Sequence, residues 1–277
     1  MACLQTDFET ADRMASSIRD KVMKNRLRFL AFFFFISVLS TVTLVAKSWA
    51  QKVSILYNER PPYTVTAPDG TVNGLTADPV DYAFAKAGIP VCWESTPTKR
   101  QMAAIEAGTP MTCALGWFKI PDREKFAKFT VAIYQDKPTV ALASSANRRI
   151  ESGKTLESIL ENKDLVLLVK EGFSYGKFLD DKIKEFAPPR ETTLAENVGM
   201  LEMIQKMHAD YMFVAPEEAN ALIRSAGFEE SDFKVITFSD ITGGAKRYLM
   251  CSRQLPDEVL EKLNTGIKEY RGKNPGK

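Results

Sequence analysis

The chain has 277 residues, 45% of them hydrophobic, with 37 Lys and Arg against 35 Asp and Glu and a single His. Charges are interspersed with no basic stripe, which argues against nucleic acid or an anionic surface as partner, and the length allows one large domain or two modest lobes. The four Cys and the lone His have no spacing that resembles a metal site, so neither metal nor cofactor is expected.

Lys24, Arg26 and Arg28 precede an apolar run over residues 29–45, and Ser48-Trp49-Ala50 places small residues at the −3 and −1 positions before Gln51. This pattern reads as a secretory signal peptide over residues 23–50, cleaved after Ala50 and directing the chain to the periplasm. A retained anchor is the competing reading, because the apolar run approaches membrane-spanning length. Residues 1–22 read as an upstream mis-start, with Met23 as an ordinary first residue. Residues 1–50 carry seven of the basic and four of the acidic residues, so residues 51–277 hold 30 and 31, near neutrality. Export permits disulfides, and Cys92, Cys113 and Cys251 allow one pair with one thiol left over; the sequence does not fix which.

Residues 52–57 alternate as a first strand. Asn58-Glu59-Arg60-Pro61-Pro62-Tyr63 follows as an extended loop, since each proline restricts the residue before it. Pro68-Asp69-Gly70 predicts a tight turn between short strands. Asp78 as N-cap and Pro79 at the first helical position predict a helix that ends near Ala87 at Gly88. A strand over 91–94, a helix over 98–106 with Lys99 and Arg100 in its first turn, and a strand over 112–115 follow. The alternation predicts a parallel sheet covered by helices. Gly116 is expected to break the third strand, and Pro121, flanked by Asp122 and Glu124, to start a turn or short helix. Arg123 sits at this strand-to-helix junction, where α/β proteins place ligand contacts. The competing reading is that Arg123 pairs with Asp122, Glu124 or another surface acid.

Residues 138–144 read as a strand, 156–160 as a short helix, and 164–170 as a strand apolar enough to be buried on both faces. The stretch from Glu171 through Ser174 to Gly176 opens a helix reaching about Phe186, with Ser174 a candidate cap. Residues 197–207 carry a helical apolar stripe, and the adjacent His208 reads as a surface or interface side chain. A strand over 209–214 leads to Pro216 and a helix with Glu217 and Glu218 in its first turn. Residues 233–238 read as a strand returning to the first lobe, 248–251 as a strand, and 256–270 as a final helix.

Phe118-Lys119-Ile120-Pro121-Asp122-Arg123, with Phe129-Thr130 and Tyr134 after it, resembles the signature of the solute-binding proteins of polar amino-acid ABC transporters (bacterial solute-binding family 3). Their usual string is Ser-Ile-Thr-Pro-Glu-Arg, then Phe-Ser-x-Pro-Tyr. The resemblance implies a two-lobed α/β periplasmic-binding-protein (Venus-flytrap) fold of type II with two crossover strands. Lobe one would hold residues 51–142 plus 238–277, and lobe two residues 143–237. It implies that Arg123 grips a ligand carboxylate through its planar fork of donors. Tyr63, after Pro-Pro, would cover the ligand, and Trp117 and Phe118 would wall the site. The helix start at Ser174 would offer N–H groups from the second lobe. The family's Asp for the ligand's amino group is Ala215 here, so Glu217 or Glu218, just after Pro216, is the candidate acid, with Glu217 preferred, and Arg100 the candidate basic residue facing the cleft. Ile120 and Phe118 replace the family's Thr and Ser. These departures imply a ligand that keeps a carboxylate but lacks an α-ammonium or presents it differently.

The function the resemblance implies is extracytoplasmic capture of a small carboxylate-bearing, amino-acid-like ligand for an ABC permease, by a monomer with no catalytic residues. Two alternatives compete: an orphan or sensor-type binding protein without a transporter, and a dehydratase- or lyase-like enzyme on the same scaffold. Against the enzyme stands the lack of a Ser/His/Asp or Cys/His set and of a second catalytic domain.

Overall fold

The computed structural model describes residues 52–275; the expected signal peptide over 23–50 and the 22 residues before it lie outside the described residues. From the first strand the chain forms β1 (Val53–Tyr57), the hairpin strands β2 (Val65–Thr66) and β3 (Val72–Asn73), α1 (Ala77–Ala87), β4 (Val91–Ser95), α2 (Thr98–Glu106), β5 (Thr112–Phe118), α3 (Pro121–Glu124), β6 (Ala127–Phe129) and β7 (Tyr134–Gln135). It continues through β8 (Val140–Ser144), α4 (Leu156–Glu161), β9 (Leu167–Lys170), α5 (Lys177–Phe186), β10 (Arg190–Thr193), α6 (Asn197–Gln205), β11 (Met212–Val214), α7 (Pro216–Ser225), a 3-10 turn Glu230–Asp232, β12 (Phe233–Ile236), β13 (Lys246–Ser252) and α8 (Asp257–Lys273).

The first sheet has the order β4-β1-β5-β13-β6, with β7 also on β13. β1 is parallel to β4 and β5, as the strand–helix alternation predicts, whereas β13 returns antiparallel to β5, β6 and β7. The sheet is therefore mixed. Val53, Ile55, Leu56 and Tyr57 are all buried, the near-continuous apolar character of a strand covered on both faces. In the second lobe β11 and β12 flank β8 antiparallel, and β9 pairs parallel with β10. A bridge between Leu167 and Tyr211 joins these two pieces. Two hydrophobic clusters lie around the first sheet and two around the second.

Several elements differ from the sequence expectation for local reasons. Asp78 is not the N-cap of α1; Thr76 is, and the Asp78 carboxylate instead accepts from the Gly74 N–H at 2.8 Å, closing the preceding loop. Gly116 does not end β5. It takes a positive φ of 77° inside the strand, and the β13 register shifts opposite it between Tyr248 and Met250. A bulge with a left-handed residue bends a strand without ending it, and here it carries Trp117 and Phe118 onward as strand residues. Residues 233–236 do not rejoin the first sheet; they pair with β8. The expected lobe boundary between 142 and 143 falls inside β8, all of whose pairing is with the second sheet.

The two segments that connect the sheets, residues 136–139 and 237–245, run against each other. Asp136 N–H donates to the Ala245 carbonyl at 3.0 Å. A Cβ at Gly244 would lie 2.1 Å from the carbonyl oxygens of Asp136 and Lys137, so only glycine permits this approach.

Cys113 and Cys251 form a disulfide across β5 and β13, closing a separation of 138 residues, while Cys92 is an exposed thiol. Long loops gain most from closure. Replacing both Cys113 and Cys251 with Ala is expected to lower stability by about 2–5 kcal/mol in urea denaturation. In the oxidised native protein an alkylating reagent should modify Cys92 and spare the other two; labelling of Cys113 or Cys251 without reductant would refute the pairing.

Candidate functional site

A cleft of about 490 Å3 opens between the lobes, lined by Trp117, Phe118 and Arg123 on one side and by Phe173, Ser174 and Glu218 on the other. That volume suits a small-molecule ligand.

Arg123 is positioned by the bulged end of β5 and by Pro121, which starts α3 at its first helical position. Its side chain folds back so that Nη1 donates to the Phe118 carbonyl at 2.9 Å, and the guanidinium lies 4.7 Å from the Trp117 ring centroid. The Trp117 indole is itself fixed by donating from Nε1 to Gln101 Oε1 at 2.9 Å. Arg123 is only 6% exposed. Neither neighbouring acid pairs with it: Asp122 takes Lys125 and Glu124 takes Lys119. Among the described residues no carboxylate forms an ion pair with Arg123. Burial pulls its guanidinium down to about 10 against a smaller opposing pull from Asp180, so it remains cationic at neutral pH. A planar guanidinium offers parallel donors that match both oxygens of a carboxylate, and one hydrogen bond of Arg123, to Phe118, is made within the chain.

The second lobe presents its helix start differently from the expectation. Gly176, not Ser174, is the N-cap of α5. Ser174 lines the cleft, but its hydroxyl donates to Asp180 and accepts from the Gly176 N–H at 3.1 Å, and the Tyr175 N–H donates to Asp180 at 2.8 Å. The Ser174 hydroxyl and the Tyr175 and Gly176 N–H groups are thus satisfied within the chain. Among the described residues that line the cleft, Arg123 is the cation without an acidic partner.

Tyr63 is buried below the cleft and does not line it. Its hydroxyl donates to Asp136 at 3.0 Å, and its ring lies 3.9 Å from the Arg247 guanidinium. Burial pushes the phenol pKa up, so it stays protonated. Tyr63 is a support for the wall, held inward by its bond to Asp136 and by the bond from Thr76 Oγ1 to its carbonyl. Glu217 also faces away from the cleft. It accepts from Tyr134 Oη at 3.0 Å and the Lys137 N–H at 2.7 Å, tying α7 to a connecting segment. Arg100 is exposed on α2 and does not line the cleft.

The buried acid that lines the cleft is Glu218, the next residue along α7. It forms a two-pronged ion pair with Arg60 from the opposite lobe: Nε to Oε2 at 2.6 Å and Nη2 to Oε1 at 2.7 Å. Burial by itself would raise the Glu218 carboxyl, but Arg60, with help from Arg247, holds it below its ordinary value. The pair's contribution to stability is thus present above the ordinary carboxylate range and lost as pH falls through the lowered value. Arg247, 3% exposed, pairs with buried Asp136 at 2.7 Å and lies 4.9 Å from the Phe118 ring centroid. Lys170 pairs with Glu196 at the rim. The sequence reading missed Arg60, Lys170, Arg247 and Asp136. The only local signal was Arg60 directly before Pro-Pro. Among the described residues no group of His, Cys, Asp and Glu is placed to hold a metal ion.

Solved structures that resemble the chain share this two-lobed fold. An ancestral arginine-binding protein bound to arginine superposes with a TM-score of 0.63 at 16% identity, over 80% of this chain and 93% of that one. The arginine-, lysine-, histidine-binding protein ArtJ of Geobacillus stearothermophilus gives 0.62 at 13% identity, over 80% and 90%. A structure describing glutathione import via GshT and the cystine ABC importer TcyBC of Streptococcus mutans gives 0.64 at 13% identity, over 80% and 90%. At these identities the likeness is one of fold. No match was found among curated protein sequences. Residues 53–274 match the model of the bacterial extracellular solute-binding proteins, family 3, and the chain belongs to that family.

Proposed function

We propose that this protein captures a small carboxylate between its two lobes outside the cytoplasm and delivers it to an ABC permease. The observation that carries the reading is Arg123: a buried guanidinium on the cleft wall with no acidic partner among the described residues. Its burial is unfavourable until an anion arrives, so ligand binding and lobe closure are coupled. Trp117, Phe118 and Phe173 supply apolar walls around it. Residues 136–139 and 237–245 act as the hinge, with the first lobe built from the chain before and after them and the second from the chain between. Closure is favoured because both lobes contact the ligand only when closed. A single chain contains the whole cleft, so the protein works as a monomer.

A thermal-shift screen of small carboxylic acids, each beside its primary amide, tests the reading. A ligand at a hundredfold its Kd adds about 2.7 kcal/mol, a rise of several degrees for a chain of this size. Acids should stabilise and their amides should not. Equal stabilisation by an amide would remove Arg123 from recognition, and no stabilisation by any acid would remove the carboxylate-receptor reading.

A further inference from the structure

We infer that Arg60 stands in for a ligand ammonium, so that the cleft selects carboxylates without an α-amino group. The inference rests on the carboxylate reading of Arg123 and adds what the rest of the ligand must lack. An amino-acid site needs an anion for the carboxylate's neighbour, the ammonium. Among the acids that line the cleft only Glu218 is buried, and both of its oxygens are taken by Arg60 at 2.6 and 2.7 Å. The Arg60 guanidinium also lies 5.5 Å from the Tyr63 ring and 5.8 Å from the Phe173 ring, which fixes it over the acid from two sides.

The remaining acids do not replace Glu218. Glu59 is exposed and accepts from Thr66, and Glu196 is 79% exposed and paired with Lys170. A solvated carboxylate adds little to binding an ammonium. Asp136 is buried beneath the wall and held by Arg247 and Tyr63. An ammonium entering the cleft would meet four cations on the lining — Arg60, Arg123, Lys170 and Arg247 — and no uncommitted buried acid. Displacing Arg60 from Glu218 would break a bidentate pair whose acid is buried. A carboxylate with an uncharged carbon next to it meets neither cost and keeps the Arg123 contact.

Isothermal titration calorimetry of the purified protein against matched pairs tests this: 3-phenylpropanoate beside phenylalanine, 4-methylpentanoate beside leucine, and glutarate beside glutamate. The parent should bind at least one amino-free acid ten times or more tighter than its amino-acid twin. Arg60→Gln frees Glu218 and should shift that ratio at least tenfold toward the amino acid. Arg60→Gln with Glu218→Gln removes the acid as well and should abolish the gain. An amino acid that binds the parent as tightly as its amino-free twin, or a ratio unmoved by Arg60→Gln in a protein that still binds, would overturn the role of Arg60 while leaving the carboxylate reading intact. If no acid of either kind binds, or binding survives Arg123→Ala, the carboxylate reading falls and this inference with it.

Discussion

Arg123→Ala is expected to weaken carboxylate binding at least a hundredfold while the unliganded protein melts within a few degrees of the parent. Losing one side of a buried, hydrogen-bonded charge pair costs about 2–5 kcal/mol, and a hundredfold corresponds to about 2.7 kcal/mol. In the unliganded state the same side chain contributes one hydrogen bond to the Phe118 carbonyl and a contact over Trp117. Those contribute roughly 1–2 kcal/mol together, and the cost of burying an unpaired cation opposes them. Arg123→Lys keeps the charge but loses the planar fork, and should fall between parent and Ala. Calorimetric titration and a melting curve for each variant separate the two effects. A large fall in melting temperature without ligand would make Arg123 a structural residue.

The helices were legible where punctuation is local. α2 spans residues 98–106 as the sequence predicts, α3 and α7 begin at Pro121 and Pro216, and α1 stops at Gly88. The β2–β3 hairpin was legible from its Pro68-Asp69-Gly70 turn, but three other short strands were not. β6, β7 and β10 have three, two and four residues, too few for alternation to show; β6 and β7 form on the distant β13, and β10 on the edge of β9. The antiparallel return of β13 belongs to the same class: its partner β5 lies well over a hundred residues earlier.

The site divides along the same line. Arg123, Trp117 and Phe118 were legible because one contiguous block carries them, and Pro121 fixes the helix start beside them. Arg60 and Glu218 are 158 residues apart, and Asp136 and Arg247 are 111 apart, so neither pair leaves a spacing signal. The choice between Glu217 and Glu218 turns on helix rotation. Successive residues of a helix differ by about 100°, so one faces the cleft and the other the connecting segment. No property of two adjacent glutamates says which is which until α7 is docked. Ser174 lines the cleft, but Asp180, six residues on, takes its hydroxyl and the Tyr175 N–H.

Arg247→Met is expected to destabilise the fold by about 3–5 kcal/mol, the cost of leaving a buried charge without its partner. Arg247 reaches from β13 to Asp136 at 2.7 Å and lies between the rings of Tyr63 and Phe118, at 3.9 and 4.9 Å. Asp136 would keep only the Tyr63 hydroxyl at 3.0 Å. Burial already pushes the Asp136 carboxyl up, with Arg247 opposing it; without Arg247 the carboxyl rises further. A carboxyl raised in the folded state leaves stability intact below its unfolded value and removes it as pH climbs through the folded value. The variant's deficit in urea denaturation should therefore be small at acidic pH and grow toward neutrality. Adding Asp136→Asn removes the stranded charge, so the double variant should be more stable than Arg247→Met alone. A double variant no better than the single would show that lost packing against Tyr63 and Phe118, not the stranded carboxylate, sets the cost. The pair also ties the two connecting segments together, because Asp136 opens the first and Arg247 lies just past the second. A loosened pair should therefore lower ligand affinity along with stability, as the walls carried by Phe118 lose their fixed spacing from Arg123.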